Sequence, residues 1–337
     1  MDEHRNFKRM ISQPHRLCVA PMMDWTDRHC RYFLRQVSPR ARLYTEMVTT
    51  GALMFGNVPR HLDFDPAEHP VALQLGGSDP HALAHCARLG EAWGYDEINL
   101  NVGCPSERVQ TGSFGACLMA DPRLVGDCVR AIRDAVALPV TVKHRIGIDA
   151  IEDYSFVRDF VGTVATAGAS VFMVHARNAI LKGLSPKENR EVPPLKYEYV
   201  HRLKREFPHL TIVINGGITT HGAIAEQLRH VDGVMLGRIA YHHPWILAEA
   251  EAYCFDDRLR PRTRSQVIEA LIPYVEARLR EGVGLRGIAR HVLGLYHGQP
   301  GGRRFRYLLS DAQRLRNGGS ALLLEALAAV EPVALPA

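Results

Sequence analysis

One thiol stands where it could take part in chemistry. Cys104 follows the apolar run "INLNV" (98–102) and precedes Pro105, so we expect it in a loop just after a strand. A thiol in such a loop can act as a nucleophile or as a general acid. Free cysteines are more often buried as small apolar side chains. Four others are interpreted in that way because they lie in apolar or helical settings, namely Cys18, Cys86, Cys117 and Cys128.

Three further polar side chains lie near the ends of predicted strands: Gln74, Lys143 and His175. They could donate hydrogen bonds to the carbonyls of a flavin and to its N1–C2=O edge, where reduction places negative charge. A lone buried histidine is more often a satisfied core residue, whereas a buried ammonium without an anion is costly. Lys143 could instead form a Schiff base, and the spacing does not separate the two roles.

Two glycine-containing turns end the last two predicted strands. Asn215, Gly216 and Gly217 form "NGG", and Gly237 precedes Arg238. Glycines let backbone N–H groups approach an anion closely, and an arginine adds a full charge. We predict a phosphate site at these turns; the alternative is that they are tight turns without a ligand.

Short, apolar, β-branched runs recur along the chain and must position these residues. They cover 17–21, 42–48, 70–77, 96–102, 139–147, 170–177, 211–218 and 232–240. Helical periodicity fills 79–93, 121–136, 153–167, 197–206 and 219–230, and Asp79 and Asp121 precede prolines as capping residues. Eight strand–helix units in roughly 240 residues predict an α/β fold, a (β/α)8 TIM barrel. A doubly wound sheet is the alternative, but no GxGxxG follows the first strand.

The pattern changes after about residue 245. Predicted helices cover 264–281, 284–297, 303–316 and 320–330, with glycine breaks between them and no further strand. We therefore predict a barrel domain over 1–255 and a small all-helical C-terminal domain over 256–337. Thirteen arginines and four acidic residues between Arg258 and Arg316 give this region a charge of +9, in a chain of net charge +5. Such a segment fits either an anionic partner such as nucleic acid or a solvated helical surface.

Composition narrows the class of protein further. The chain has 337 residues, no apolar run long enough for a membrane helix, and a charged N-terminus unlike a signal peptide, so we expect a cytoplasmic protein. The seven cysteines have no CxxC spacing, which favours reduced thiols over disulfides. We expect no metal site, because histidine pairs such as His242–His243 lack ligand spacing with nearby acids.

Several of these stretches together resemble the tRNA-dihydrouridine synthase family. They are "APMMDWTDRHCR", "LQLGG", "INLNVGCPSERVQTGSFGACLM", "VKHRIG", "VHAR", "INGGI" and "GVMLGR". The resemblance runs from about residue 15 to about residue 320. The "NVGCP…GSFGACLM" stretch and the loop "HARNAILKGLSPKENREVPPL" are similar to those of its A subfamily, which acts at D-loop positions 20 and 20a.

The resemblance implies bound FMN, NADPH as reductant and tRNA as substrate. Cys104 would be the catalytic acid, giving a proton to C5 of uracil while hydride reaches C6 from flavin N5. The implied cofactor contacts are Pro21, Met22, Met23, Gln74, Lys143, His175, Asn215, Gly216, Gly217, Gly237 and Arg238. The implied substrate and tRNA contacts are Asn101, Arg177, Lys187, Arg190, Arg303 and Arg306. The 178–196 loop is also long for a compact domain, which favours a functional segment. We expect a monomer, with the barrel binding FMN and the helical domain binding tRNA.

Three other hypotheses share part of this pattern. A flavin barrel acting on a free pyrimidine would need the same strand-end residues but leaves the arginine-rich segment without a role. A Schiff-base aldolase would use Lys143 but no flavin. A non-catalytic RNA-binding barrel does not account for the set of flavin contacts.

Overall fold

The computed structural model describes residues 13–106, 109, 112–151, 153–255 and 262–330. Its strands are short, parallel and almost completely buried, as expected when both faces of a sheet are covered. They are β1 (Leu17–Val19), β2 (Leu43–Tyr44), β3 (Val48–Thr49), β4 (Val71–Gly76), β5 (Glu97–Val102), β6 (Val140–Arg145), β7 (Val171–His175), β8 (Thr211–Asn215) and β9 (Gly233–Leu236).

These strands close into a barrel. Their order is β1-β9-β8-β7-β6-β5-β4-β2, and β3 also pairs with β4. The ring closes between β1 and β2, where Val19 N–H donates to the Arg42 carbonyl and Arg42 N–H donates to the Leu17 carbonyl, both at 2.9 Å. The single predicted strand 42–48 is divided into β2 and β3, so nine segments occupy eight places. The predicted eight-stranded parallel barrel is confirmed, and the doubly wound alternative is wrong.

Helices alternate with the strands along the chain. Within the described residues they are α1 (Arg28–Val37), α2 (Thr50–Phe55), α3 (Val58–Leu62), α4 (Pro80–Ala92), α5 (Pro122–Ala135), α6 (Tyr154–Thr166), α7 (Tyr197–Glu206), α8 (His221–Gln227), α9 (Arg238–His242), α10 (Trp245–Cys254), α11 (Arg264–Arg280), α12 (Leu285–Val292), α13 (Gly302–Leu308), α14 (Ala312–Asn317) and α15 (Ala321–Ala328). Asp79 and Asp121 cap α4 and α5 by accepting from Ala82 N–H and Leu124 N–H, as the sequence predicts.

Two predictions for the C-terminal helices were inaccurate. The predicted helix 303–316 is two helices, α13 and α14, because the Asp311 side chain accepts from the N–H groups of Gln313 and Arg314 and starts a new helix there. The predicted helix 284–297 ends as α12 at Val292. The helices α1, α2, α3, α9 and α10 were not predicted at all.

The described chain falls into two compact units. We call residues 13–23 and 42–237 the barrel unit, and residues 24–41 and 238–330 the helical unit. The predicted domain boundary after residue 255 adjoins residues 256–261, which lie outside the described part of the chain, and it stays a prediction. Within the barrel unit, an apolar cluster that includes Tyr44, Met173 and Met235 fills part of the barrel interior.

The helical unit has its own apolar core and its own ion-pair cluster. Tyr32 of α1 stacks on Tyr274 of α11, with ring centroids 3.8 Å apart. Asp27 caps α1 and also binds Arg290 and His291 of α12. These ion-pair and hydrogen-bond contacts hold the pKa of Asp27 well below its usual range, although burial acts in the opposite direction. No described helix combines the length and the apolar composition that crossing a membrane requires.

Candidate functional site

Strand alternation determines which side chains enter the barrel. The ring of His144 lies outside, 4.9 Å from the Phe160 ring of α6 (centroid to centroid), so its neighbour Lys143 points to the interior. Adjacent strands place Gln74 beside Asn99, Asn101 beside Lys143, and His175 beside Asn215. The residues that the sequence predicts at strand ends in the barrel unit therefore share the carboxyl-terminal end of one barrel.

The Asn101 side chain connects Gln74 to the backbone of Cys104. Asn101 Nδ2 donates to Gln74 Oε1 at 2.9 Å, so both amides are fixed at the mouth of the barrel. Asn101 Oδ1 accepts the backbone N–H groups of Gly103 at 3.1 Å and Cys104 at 3.0 Å. The side chain of a strand residue thus holds the start of the loop that carries the thiol.

The Cys104 loop returns to the barrel through a glycine. Ala116 N–H donates to the Cys104 carbonyl at 2.9 Å. Gly115 has φ 78°, and a Cβ there would lie 2.6 Å from that carbonyl oxygen, so a larger residue would push the loop away. Cys104 is half-buried, and all seven cysteines, each of which lies in the described part of the chain, are outside disulfide bonds. Residues 107, 108, 110 and 111 of this loop lie outside the described part of the chain.

Three cationic or basic side chains meet inside the barrel: Lys143, Arg145 and His175. Burial, together with the Arg145 charge, lowers the pKa of Lys143 to about 8. Burial lowers the pKa of His175 well below its usual value, and Arg145 and Lys143 add to that effect, so the imidazole is neutral near pH 7. His175 Nδ1 is buried and has no hydrogen-bond partner within the described part of the chain. A buried imidazole nitrogen that needs a partner, beside the charges of Lys143 and Arg145, favours an anionic or hydrogen-bonding ligand at this position.

Arg145 is a candidate site residue that the sequence pattern did not single out. Its guanidinium is buried and donates to the carbonyls of Gly103 at 3.2 Å, Asn178 at 3.1 Å and Asn189 at 2.9 Å. It therefore ties the Cys104 loop to the loop after β7. The signal that could have found it was strand alternation, because Arg145 follows Lys143 by two residues and shares its side of β6.

The predicted phosphate turn after β8 needs its glycines. Gly216 and Gly217 have φ of 111° and 69°, which other residues rarely adopt. A Cβ at Gly217 would lie 2.5 Å from Leu195 Cδ1, and one at Gly216 would lie 3.3 Å from His175 Nε2. Asn215 Nδ2 donates to the Met235 carbonyl at 2.7 Å and joins β8 to β9. The turn is thus next to His175.

The remaining predicted cofactor residues lie beyond strands β1 and β9. Pro21 and Met22 are partly exposed, and Met23 is 56% exposed, an unusual value for a large apolar side chain directly after a barrel strand. A Cβ at Gly237 would meet no atom within 4 Å, so there is open space beside this residue. Arg238, the next residue, begins α9 and belongs to the helical unit.

The loop after β7 is organised by one buried amide. Asn189 accepts from Ile180 N–H at 2.7 Å and donates to the carbonyls of Ile180 and Leu184 at 2.9 and 3.2 Å. Arg177 donates to the carbonyls of Glu191 and Pro193, and these hydrogen bonds hold the other end of the loop. Lys187 and Arg190 lie on this ordered loop and are exposed.

Two predicted tRNA contacts belong to the helical unit. Arg303 and Arg306 lie on α13, one turn apart, and Arg303 is exposed. Arg306 Nη1 is buried, without a hydrogen-bond partner among the residues that the structure describes. In those same residues no group of three or more histidine, cysteine, aspartate or glutamate side chains could hold a metal ion.

Known proteins resemble this chain over most of its length. The sequence profile of the family described as "Dihydrouridine synthase (Dus)" matches residues 18–331. The "tRNA-dihydrouridine(20/20a) synthase" of Yersinia pestis is 56% identical over 318 residues, which cover 94% of this chain and 92% of that protein. The protein of the same name from Pseudomonas aeruginosa is 59% identical over 295 residues, or 88% of this chain and 89% of its own length.

Proposed function

This chain belongs to the dihydrouridine synthase family, and we propose that it reduces uridine to 5,6-dihydrouridine at positions 20 and 20a of tRNA. One structural observation supports the chemistry most directly. A partly exposed thiol, Cys104, is held by Asn101 at the mouth of a barrel whose interior carries Lys143, Arg145 and His175. The thiol and the cationic cluster come from the ends of β5, β6 and β7, which border one another.

The family is generally flavin-dependent, and we propose FMN as the cofactor. The interior fits such a group, because His175 Nδ1 lacks a partner among the described residues and Lys143 carries a charge that burial disfavours. Lys143, His175 and Gln74 would contact the ring or the ribityl chain, with Pro21, Met22 and Met23 along its side. The phosphate would lie at Asn215, Gly216, Gly217, Gly237 and Arg238. When bound and reduced by NADPH, FMN would supply the hydride for C6 of uracil.

Cys104 would hold and deliver the proton. Hydride addition at C6 moves negative charge toward C5 and O4 of the uracil, so C5 must receive a proton. A thiol at the end of β5 would give its proton to C5. Asn101, whose carbonyl already binds the Cys104 backbone, would contact the uracil or its ribose and keep base and thiol in register.

Cationic side chains of both units would bind the tRNA backbone. A stacked base in folded tRNA cannot reach a barrel interior, so the target uridine must be flipped out. Lys187 and Arg190 on the ordered loop after β7, with Arg177 at its base, would bind phosphates, as would Arg303 and Arg306 on α13. We further propose that the protein works as a monomer in the cytoplasm, where its substrate is found; light scattering tests the first statement.

The direct test is a modification assay on unmodified tRNA. The protein is incubated with tRNA transcripts and NADPH, and dihydrouridine is mapped by position. We expect it at positions 20 and 20a, with a flavin absorption spectrum in the purified protein and no turnover of free uridine. Absence of dihydrouridine would reject the proposed function. Dihydrouridine only at other positions would reject the positional assignment, and turnover of free uridine alone would favour a nucleoside reductase.

A further inference from the structure

A chain of buried polar side chains runs across the barrel below the candidate site. At its lower end, Thr141 Oγ1 donates to Glu97 Oε1 at 2.6 Å. Asn99 Nδ2 donates to Thr141 Oγ1, and Gln74 Nε2 donates to Asn99 Oδ1, each at 2.7 Å. Asn101 then donates to Gln74 and accepts from Cys104 N–H. These hydrogen bonds thus connect Glu97, the first residue of β5, to the loop that carries the thiol.

The lower end of this chain can only accept hydrogen bonds. Glu97 is completely buried, but its carboxylate contacts His15 Nε2 at 2.7 Å and Arg42 Nη1 at 3.3 Å. These groups lower the pKa of Glu97 against the opposing effect of burial, so the carboxylate is ionised. An ionised carboxylate has no proton to give, and the Thr141 hydroxyl must therefore donate to it.

The upper end can only donate hydrogen bonds. It consists of the backbone N–H groups of Gly103 and Cys104, which cannot reverse their polarity. Asn101 must present its carbonyl oxygen to them and its NH2 group to Gln74. The two ends therefore demand the same direction of donation through every link between them.

Only one orientation of the three amides satisfies both ends. Turning Asn99, Gln74 or Asn101 by 180° would set donor against donor at one of its links and acceptor against acceptor at the other. Asn99, Thr141 and Glu97 are 0% exposed and Gln74 is 1% exposed, so solvent does not compensate. A buried polar group without a partner costs about 1–3 kcal/mol. The hydrogen bonds therefore strongly favour one orientation of each of the three amides.

We infer that Glu97, Thr141 and Asn99 are positioning residues, which set the orientation of the Gln74 and Asn101 amides and thereby the place of Cys104 at the barrel mouth. None of the three needs to touch cofactor or substrate. The inference rests on the proposed function in one respect only, since it assigns the ordered loop a use in uridine reduction. The ordering itself is a property of the protein alone.

Thr141 is the position at which this series of hydrogen bonds can be interrupted with least disturbance to the protein. Thr141→Val keeps the shape of the side chain and removes the hydroxyl that links Glu97 to Asn99. Tyr44→Phe is the matched control. The Tyr44 hydroxyl donates to the same oxygen, Glu97 Oε1, at 3.0 Å, but it does not connect Glu97 to Asn99. Thr141→Ser should restore the link.

The experiment measures ordering and turnover separately. Amide hydrogen exchange of Gly103 and Cys104 is followed by NMR on the purified protein, selectively labelled with 15N at glycine and cysteine. In Thr141→Val we expect exchange of these two amides to become roughly tenfold faster and kcat for dihydrouridine formation to fall roughly tenfold, with a smaller change in KM. Tyr44→Phe and Thr141→Ser should stay within about twofold of the wild type in both measurements.

Equal exchange and equal kcat in Thr141→Val and Tyr44→Phe would overturn the inference. If Thr141→Val does not fold, Thr141→Ala removes the same hydroxyl without added volume. It is then compared with Tyr44→Phe in the same two measurements. If the wild type forms no dihydrouridine, the proposed function fails, and the positioning inference is then decided by the exchange rates alone.

Discussion

The carbonyl oxygen of the Asn101 side chain lies 3.0 Å from the backbone nitrogen of Cys104 and accepts its hydrogen bond. The same amide donates to Gln74, so a residue proposed to contact substrate also connects the thiol to a proposed cofactor contact. A displacement of either neighbour would be transmitted to Cys104 through this one side chain.

The first prediction concerns the thiol itself. Cys104→Ala should retain the bound flavin and bind tRNA normally, but lose nearly all dihydrouridine formation, because the proton for C5 is gone. Cys117→Ala is the control, since Cys117 is also partly exposed and its thiol donates only to the Phe114 carbonyl. Single-turnover assays with pre-reduced protein measure the step. Normal turnover by Cys104→Ala would rule out the general-acid role.

The second prediction tests the Asn101 amide. Asn101→Ala should lower kcat/KM by roughly tenfold or more although Cys104 remains, because the loop loses the acceptor for two N–H groups. Asn57→Ala removes a comparable contact, from an asparagine oxygen to Arg60 N–H, at the start of α3. That control should lose about 0.5–2 kcal/mol of stability and keep its kcat. Equal kinetic losses in both variants would contradict a specific role for Asn101.

The third prediction concerns the turn after β8. Gly217→Ala should lower the melting temperature and weaken FMN binding, because the new Cβ would lie 2.5 Å from Leu195 in a backbone with φ of 69°. Gly222→Ala is the control: its Cβ would meet nothing within 4 Å, and alanine favours the helix by roughly 0.5–1 kcal/mol. Calorimetry and flavin titration measure both. Unchanged FMN affinity in Gly217→Ala would contradict a phosphate site at this turn.

The fourth prediction uses the lowered pKa of Lys143. Below pH 8 the ammonium is charged in the folded and unfolded states, and the folded protein bears the full cost of holding this partly buried charge beside Arg145. Between the folded pKa of about 8 and the unfolded value of about 10.4, the unfolded state binds more protons, so stability rises with pH.

Lys143→Met should therefore stabilise the cofactor-free protein by roughly 1–3 kcal/mol at pH 7, and by much less at pH 10.5. Urea unfolding at both pH values measures the difference. Lys182→Met, at an exposed lysine of the loop after β7, should show no such dependence on pH. A stabilisation by Lys143→Met that is independent of pH would contradict a buried ammonium.

The fifth prediction concerns tRNA. Lys187→Ala combined with Arg190→Ala should weaken tRNA binding and reduce the slope of log affinity against log salt by about 1–2, one phosphate contact for each charge. Arg229→Ala is the control: this exposed arginine lies between α8 and β9, at the opposite end of the barrel strands. Filter binding at several salt concentrations measures the slope. An equal effect of Arg229→Ala would indicate nonspecific charge.

The sequence by itself determined the elements and most of the candidate site. Continuous apolar runs separated by capped helices are typical of a parallel sheet covered on both faces, and eight of them predict a closed barrel. The ends of those strands carry Gln74, Lys143, Cys104 and His175, so local pattern and fold class sufficed to group them. Helix α7, predicted over 197–206, matches the structure at both ends.

Only the tertiary structure decided how these residues are held. Arg145 binds three carbonyls that lie up to 44 residues from it in sequence, and Glu97 connects to Thr141, which is also 44 residues away. No local pattern predicts such partners, because they depend on which strands are neighbours and on their register. The division of 303–316 into two helices also needed a cap at Asp311 that helical periodicity alone does not reveal. Periodicity reports which face of an element is buried, whereas the direction of a buried hydrogen bond is set by partners brought together only on folding.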